Sequence, residues 1–129
     1  MWTLDVQTRQ RVSFVDISSA VAGLVRDAGD GVVVVYVPHT TAGVTINEDA
    51  DPSVRADLEM ALERLVPRDL PFTHLEGNSD AHTKASLMGS SVTVPVVAGA
   101  LQLGTWQGIY FAEFDGPRRR HVLVTFLPA

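Results

Sequence analysis

Hydrophobic and polar residues alternate at both ends of the chain, which predicts half-buried β-strands there. Residues 2–6 alternate in this way, and residues 12–17 are predicted to form the partner strand. Residues 105–114 and 120–127 predict a hairpin, because the turn sequence Asp115-Gly116-Pro117 separates them. Both ends of the chain are therefore expected to be β-structure.

The middle of the chain contains an uninterrupted apolar segment from Val32 to Val37, which Pro38 follows. Its residues are almost all β-branched, so the segment predicts a central strand that is buried on both faces. Shorter extended segments are expected at residues 43–47, 92–96 and 100–103.

One long amphipathic helix is predicted from Asp51 to Leu65. Asp51 is a favourable N-cap, and Pro52 suits the first helical position. Apolar residues then recur on one face at helical spacing, which predicts packing against the core through Val54, Leu58, Leu62 and Leu65. The charged residues of the opposite face, Arg55 and Glu63 among them, are expected to point to solvent.

Two shorter helices complete the prediction, one after Ser18 or Ser19 and one over residues 80–88. Because the helices do not alternate regularly with the strands, the sequence favours an α+β protein. We expect a strand-rich, β-sandwich-like core of mixed or antiparallel sheets with two or three short helices. The length fits a single domain spanning residues 1–129.

The composition indicates a substantial core and a weakly charged surface. Hydrophobic residues make up 46% of the chain and charged residues 19%, which favours an oligomer. The net charge is −5, with thirteen acidic residues and six arginines in residues 1–80. An acidic domain is a poor nucleic-acid binder, because such binding neutralises many phosphates. The arginine cluster at residues 118–120 can still hold one anionic group.

Features that the sequence lacks exclude several kinds of site and location. The chain has no cysteine, which excludes disulfides, thiolate metal sites and cysteine nucleophiles. The first residues lack the pattern of a signal peptide, and no apolar run is long enough to cross a bilayer. We expect a cytoplasmic protein that contacts no membrane.

Candidate functional residues concentrate in three polar segments beside predicted strands, where sites usually form. The first segment begins with His39, directly after the apolar strand, and continues to Glu48. Alternatively, His39 caps the sheet through a backbone hydrogen bond, and Glu48 is an ordinary surface carboxylate. Asp51 already has a role as a helix cap, so Glu48 is the better functional candidate.

The second segment, residues 73–84, holds two histidines, two carboxylates and a lysine. Imidazole and carboxylate are good ligands for divalent metals, although the spacing is not a known zinc signature. The alternative is a solvated loop in which Asp80 caps the following helix. We expect His74 and His82 to converge with His39 on one pocket that binds a divalent metal. Glu48, Glu76 and Lys84 are expected to lie close by. In the metal-free alternative, protonated histidines contact a phosphate directly.

The third segment, residues 104–108, contains Trp106 at the start of a predicted strand. Such a segment offers a ligand a stacking face and an amide hydrogen bond, although Trp106 by itself is better explained as a core or interface residue. The arginines at residues 118–120 also have an alternative role, since charges keep sheet edges from pairing. No nucleophile motif, phosphate-binding glycine loop or dinucleotide fingerprint is present.

Four ordered blocks carry a family resemblance. They are the stretch from His39 to Asp57, the pair His74–Asn78 and His82–Ser86, residues 99–109 with the sequence Gly-Thr-Trp-Gln, and residues 114–118. Together these blocks resemble the YjbQ family of secondary thiamine-phosphate synthases. Their order and their spread over the chain make a chance match very improbable.

The resemblance implies a β-sandwich-like α+β subunit, a homotrimer and a weak thiamine-phosphate synthase activity. That reaction joins hydroxymethylpyrimidine diphosphate to thiazole phosphate and releases pyrophosphate. Two alternatives stay open: a metal-assisted hydrolase whose histidines activate water, and a non-catalytic trimer that binds a metal or a small anion. The expected ligands are a small phosphorylated substrate and a divalent metal, zinc or magnesium.

Matching the family blocks assigns roles residue by residue. The residues assigned to catalysis are Glu48, Glu76 and Lys84. Those assigned to substrate binding are Thr40, Thr41, Asn47, Asn78, Thr105, Trp106, Gln107 and Arg118. Those assigned to the metal are His39, His74 and His82. His121 matches no block and is expected to be structural.

Overall fold

The computed structural model describes residues 1–129 and contains eight strands and three helices. The strands are β1 (Trp2–Gln7), β2 (Ser13–Asp16), β3 (Gly31–Tyr36), β4 (Ala42–Glu48), β5 (Ser91–Val97), β6 (Ala100–Leu101), β7 (Gln107–Glu113) and β8 (Arg119–Pro128). The helices are α1 (Ser18–Val25), α2 (Pro52–Leu65) and α3 (Ser79–Met88). The predicted strand-rich α+β class is confirmed.

The strands form two antiparallel sheets that together make a curled half-barrel. The five-stranded sheet has the order β1-β8-β3-β5-β6, and the three-stranded sheet has the order β2-β7-β4. The predicted pairing of the first two strands is wrong, because β1 pairs with β8 and β2 pairs with β7. The chain therefore crosses from one sheet to the other between β1 and β2.

The main hydrophobic core lies between the two sheets and consists largely of β-branched residues. Val33 and Val35 of β3 are fully buried there, as is Ile109 of β7. The prediction that β3 is buried on both faces is wrong, because Val34 is half-buried and Tyr36 is 44% exposed. Side chains alternate between the two faces of a strand, and only one face of β3 meets the core.

Helix α2 begins as predicted but is buried less than its sequence pattern indicates. The Asp51 carboxylate accepts a hydrogen bond from the Ser53 N–H at 2.9 Å, which caps the helix. Leu58 and Leu62 pack against a second, smaller core, whereas Leu65 is 67% exposed. The predicted packing of Leu65 is therefore wrong, because the exposed last turn of the helix does not reach the core.

Two charged residues of α2 that were expected to point to solvent also contact the body of the protein. The guanidinium of Arg55 lies 5.3 Å from the centre of the Tyr110 ring, within range of a cation–π interaction. Glu63 accepts a hydrogen bond from Lys84 of α3 at 2.7 Å. The helix is thus held by polar contacts as well as by its partly buried leucines.

None of the three helices combines the length and the apolar character needed to cross a membrane.

Candidate functional site

A polar cleft of about 440 Å³ lies at one end of the three-stranded sheet. Its walls come from the loop after β3, the loop before α3, α3 itself and the turn between β7 and β8. Pro38 is its one residue without a polar side chain, and the others are His39, Thr40, Thr41, His74, Glu76, Asn78, His82, Asp115, Arg118 and Arg120. A neighbouring depression along α3 shares His39, Thr40 and His82 with it.

The structure brings the three predicted histidines to this one cleft. The rings of His74 and His82 meet edge to face with centroids 5.5 Å apart, and Glu76 Oε1 lies 3.8 Å from His74 Nε2. His39 stacks instead on His121, with ring centroids 6.3 Å apart. The histidines therefore line the same cleft but divide into two groups.

His39 is committed to a structural hydrogen bond. Its Nε2 accepts the backbone N–H of His121 at 3.0 Å, as the sheet-capping alternative describes. Partial burial, and then the charge of Arg120, lower the pKa of His39 below its ordinary value of 6.5. The neutral ring is therefore favoured, with its proton on Nδ1 because Nε2 is an acceptor.

These contacts do not make a ready metal site. A metal needs a free ring nitrogen lone pair from each histidine, and His39 already uses the lone pair of Nε2. No three histidine, aspartate or glutamate side chains lie close enough together to hold one ion. The arrangement is nearer to a hydrogen-bonding cleft than to a preformed coordination shell.

The turn between β7 and β8 is held by a chain of polar contacts. Arg118 donates from Nε to the carbonyl of Asp115 and from Nη2 to its carboxylate, at 2.9 and 3.2 Å. Asn78 Nδ2 donates to the same carboxylate at 2.8 Å, which ties the turn to the start of α3. Asn78 Oδ1 is buried and has no hydrogen-bond partner.

A buried ion pair between Glu113 and Arg120 forms part of the cleft's support, and the sequence reasoning missed it. Glu113 is fully buried and Arg120 is 3% exposed. Arg120 donates to Glu113 through Nε and Nη2, and to Thr41 Oγ1 at 2.8 Å. The only sequence signal was Glu113, a charged residue within an apolar stretch, because Arg120 follows two other arginines.

Lys84 lies outside the cleft. Its ammonium is buried between the carboxylates of Asp80 at 3.4 Å and Glu63 at 2.7 Å. Asp80 is also fully buried and pairs with Arg11, so it does not cap α3 as the alternative reading supposed. Burial alone would raise the pKa of Asp80, but Arg11 and Lys84 lower it. This network ties α3 to α2 and to the loop before β2.

The remaining predicted residues gather at the opposite end of the same sheet. Glu48 pairs with Gln107 at the far end of β4, six positions from the Ala42–Glu113 pair beside the cleft. Six strand residues span about 20 Å. This second group comprises Asn47, Glu48, Thr105, Trp106 and Gln107, and we call it the tryptophan end.

The tryptophan end has exposed apolar surface and unsatisfied polar groups. Trp106 is 62% exposed, so it is not the core residue that one alternative made it. Glu48 Oε2 and Tyr110 Oη are buried without a hydrogen-bond partner. Burial raises the pKa of Tyr110 above its ordinary value. Apart from Lys84, the predicted site residues of one chain thus occupy two separate places. The expectation that Glu48 and Lys84 lie close to the three histidines is wrong.

Comparison with known proteins assigns the chain to a family. The model of UPF0047 proteins of the YjbQ-like type matches residues 2–129. A UPF0047 protein of Methanocaldococcus jannaschii is 50% identical over 129 residues, which cover 98% of this chain and 94% of the relative. YugU of Bacillus subtilis, another UPF0047 protein, is 46% identical over 121 residues, which cover 92% of this chain and 92% of the relative. A crystal structure of a YjbQ/UPF0047 family protein from Clostridium acetobutylicum matches with a TM-score of 0.96 and 48% identity, covering 98% of this chain and 100% of that one. The chain therefore belongs to the YjbQ-like UPF0047 family.

Proposed function

We propose that the polar cleft binds a small phosphorylated compound. The observation that carries this proposal is the cleft's composition: ten polar side chains, including Arg118 and Arg120, surround a volume of about 440 Å³. Guanidinium groups are well suited to phosphate oxygens, and threonine and histidine side chains add hydrogen-bonding partners. An apolar ligand would gain little from such walls.

Within that class, we propose the reaction that the family resemblance implies, the synthesis of thiamine phosphate. The thiazole nitrogen attacks the methylene carbon of hydroxymethylpyrimidine diphosphate. The carbon–oxygen bond breaks, and pyrophosphate leaves with the electron pair. This chemistry requires no protein nucleophile, which agrees with the lack of a nucleophile motif in the sequence.

The protein's part in such a reaction is to neutralise the leaving group and to align the two reactants. Arg118 is half-exposed beside the cleft and is the natural contact for a departing diphosphate. His74 and Glu76 lie in the same wall and offer hydrogen bonds to a substrate. Lys84, bound to Asp80 and Glu63, supports the wall from behind rather than reaching the substrate.

The test is product formation from the two purified precursors. The protein is incubated with hydroxymethylpyrimidine diphosphate and thiazole phosphate, and thiamine phosphate is measured as its fluorescent oxidation product. We expect formation above the no-protein rate, and roughly tenfold or greater loss in Arg118→Gln. Arg119→Gln is the matched control, because Arg119 is exposed and lies outside the cleft. No product with the wild-type protein under saturating precursors would refute the synthase proposal.

A divalent metal, zinc or magnesium, stays a prediction for this cleft. His74, Glu76 and His82 are the side chains that would hold it after local rearrangement, since His39 is bound to His121. Elemental analysis of protein purified without chelator tests it, and less than about one metal per ten chains would contradict it. The metal-assisted hydrolase alternative depends on that result, because it needs a metal to activate water.

We also propose that the protein is a homotrimer in the cytoplasm. The support is the family resemblance, the low fraction of charged residues and the exposed apolar side chains of Trp106, Val97 and Leu127. Exposed apolar surface of this kind often marks an interface between subunits. If the non-catalytic alternative holds, the same trimer would bind a metal or a small anion without turnover.

A further inference from the structure

The cleft contains a charged side chain whose hydrogen-bonding capacity is only partly used. Arg120 is only 3% exposed, and it lines the cleft. Its Nε and Nη2 donate to Glu113 and Thr41, whereas no hydrogen bond within the protein involves Nη1. The second terminal nitrogen of this guanidinium is therefore left without a partner inside the protein.

The unpaired nitrogen opens on the cleft. The fully buried side-chain atoms without a partner are Ser13 Oγ, Glu48 Oε2, Asn78 Oδ1 and Tyr110 Oη, and Arg120 Nη1 is not among them. Since the rest of this guanidinium is enclosed by Glu113 and Thr41, Nη1 is the part of the group that solvent or a ligand can reach. A partly desolvated N–H donor of this kind binds an anionic oxygen strongly.

The guanidinium is fixed in place before any ligand arrives. Glu113 also accepts hydrogen bonds from Thr8 Oγ1 at 2.7 Å and from the N–H groups of Phe114 and Asp115 at 3.1 and 3.2 Å. These contacts leave the carboxylate without freedom to turn, so Arg120 cannot turn either. Glu113 is thus a positioning residue for Arg120, and it also anchors the turn that carries Arg118.

We infer that Arg120 Nη1 is the donor that binds a phosphoryl oxygen of the ligand in the cleft, and that Glu113 positions it for this contact. This inference rests on the proposed binding of a phosphorylated compound, and it assigns the phosphoryl contact to one nitrogen.

The assignment of Arg120 is tested with inorganic pyrophosphate as the probe, by titration calorimetry on the intact protein. Arg120→Lys should weaken binding about tenfold or more, because it keeps a charge against Glu113 but loses Nη1. Arg119→Lys is the matched control and should bind as the wild type does. A folded Arg120→Lys protein with wild-type affinity would overturn the assignment.

A measurement on the unmutated protein covers the case in which Arg120→Lys does not fold. In arginine side-chain NMR spectra, the Arg120 Nε–H signal should move on addition of pyrophosphate, and the Arg119 signal should not. No movement of the Arg120 signal at saturating pyrophosphate would overturn the proposal. Pyrophosphate binding elsewhere would leave the proposed function standing, and binding at Arg120 without product formation would refute only the synthase reaction.

Discussion

His39 shows how one side chain can be fixed by groups that are distant in sequence. His121 lies 82 residues further along the chain, yet its N–H determines which ring nitrogen of His39 carries the proton. Partial burial and Arg120 lower the pKa of His39. A protonated His39 would lose the contact to His121, so an anion in this cleft is bound mainly by other groups.

We predict that His39 titrates with a midpoint below 6.5 in the folded protein, as measured by imidazole NMR. The unfolded chain then binds more protons than the folded one near this pH. His39 therefore contributes stability that is complete above pH 6.5 and is lost as the pH falls below it. His39→Gln should show a smaller loss of stability between pH 6.5 and 5. A folded-state midpoint at or above 6.5 would contradict this.

Glu113 supplies a second prediction at the residue scale. Glu113→Gln leaves Arg120 buried without its counter-charge and breaks a carboxylate network with Thr8 and two backbone N–H groups. Removing one member of a buried ion pair costs about 3–5 kcal/mol. We expect a loss of that size in the free energy of unfolding, measured by urea denaturation. Asp57→Asn on the exposed face of α2 is the control and should change it by less than about 0.5 kcal/mol.

Helix α2 is attached to the protein more weakly than its pattern indicates. Its apolar stripe correctly predicts a face that turns toward the sheet, because Leu58 and Leu62 pack against the smaller core. None of its residues is fully buried, however. Amphipathic spacing predicts which face turns inward, but the depth of burial depends on how far the neighbouring sheet extends, and spacing does not encode that.

We predict that Leu62→Ala lowers the free energy of unfolding by about 1–2 kcal/mol, which is below the roughly 2–5 kcal/mol typical of fully buried leucines. Leu65→Ala on the same helix should cost less than about 0.5 kcal/mol, since Leu65 is 67% exposed. Urea denaturation of both variants gives the comparison. Equal losses would mean that Leu65 is covered in solution, most simply by another subunit.

The elements of this fold follow from the sequence more closely than their pairing does. The start of α2 was predictable because Asp51 and Pro52 act locally, and the end of α3 because Gly89 adopts a φ of +93°. The pairing of β1 with β8 was not predictable from alternation, because alternation gives a strand's faces without naming its neighbour. Because β1 and β2 are neighbours in the sequence, a hairpin between them was expected. The chain instead changes sheets between these two strands.

At the scale of the whole molecule, the predicted site residues other than Lys84 divide between two ends of one sheet. The three histidines and Arg118 line one cleft, although His74 lies before α3 and His82 within it rather than at the end of a strand. Asn47 and Trp106 lie at the tryptophan end, because an antiparallel strand carries its two termini about 20 Å apart. The four sequence blocks show which residues belong to the family pattern, but they do not give the distances between those residues in the folded chain.

The proposed homotrimer can be tested directly through the mass of the assembly. We predict that light scattering at micromolar concentration gives three times the 13.9 kDa mass of the chain. The physical reason is the uncovered apolar surface around Trp106 and on the outer face of β3, which association would remove from water. A stable monomer over the same concentration range would refute the trimer.

If the trimer joins the cleft of one subunit to the tryptophan end of the next, variants defective at opposite ends should rescue each other. Arg118→Gln damages the cleft, and Trp106→Ala damages the other end, which lies about 20 Å away within the same chain. Each variant alone should form little thiamine phosphate.

When the two variants are unfolded together and refolded as mixed trimers, an intact cleft meets an intact Trp106 at some interfaces, because head-to-tail contacts place different surfaces of neighbouring subunits together. Activity should then return to a fraction of the wild-type value, whereas separately refolded variants mixed afterwards serve as the control and stay inactive. Mixed trimers that form, as shown by a tag on one variant, but remain inactive would place the whole site within a single subunit.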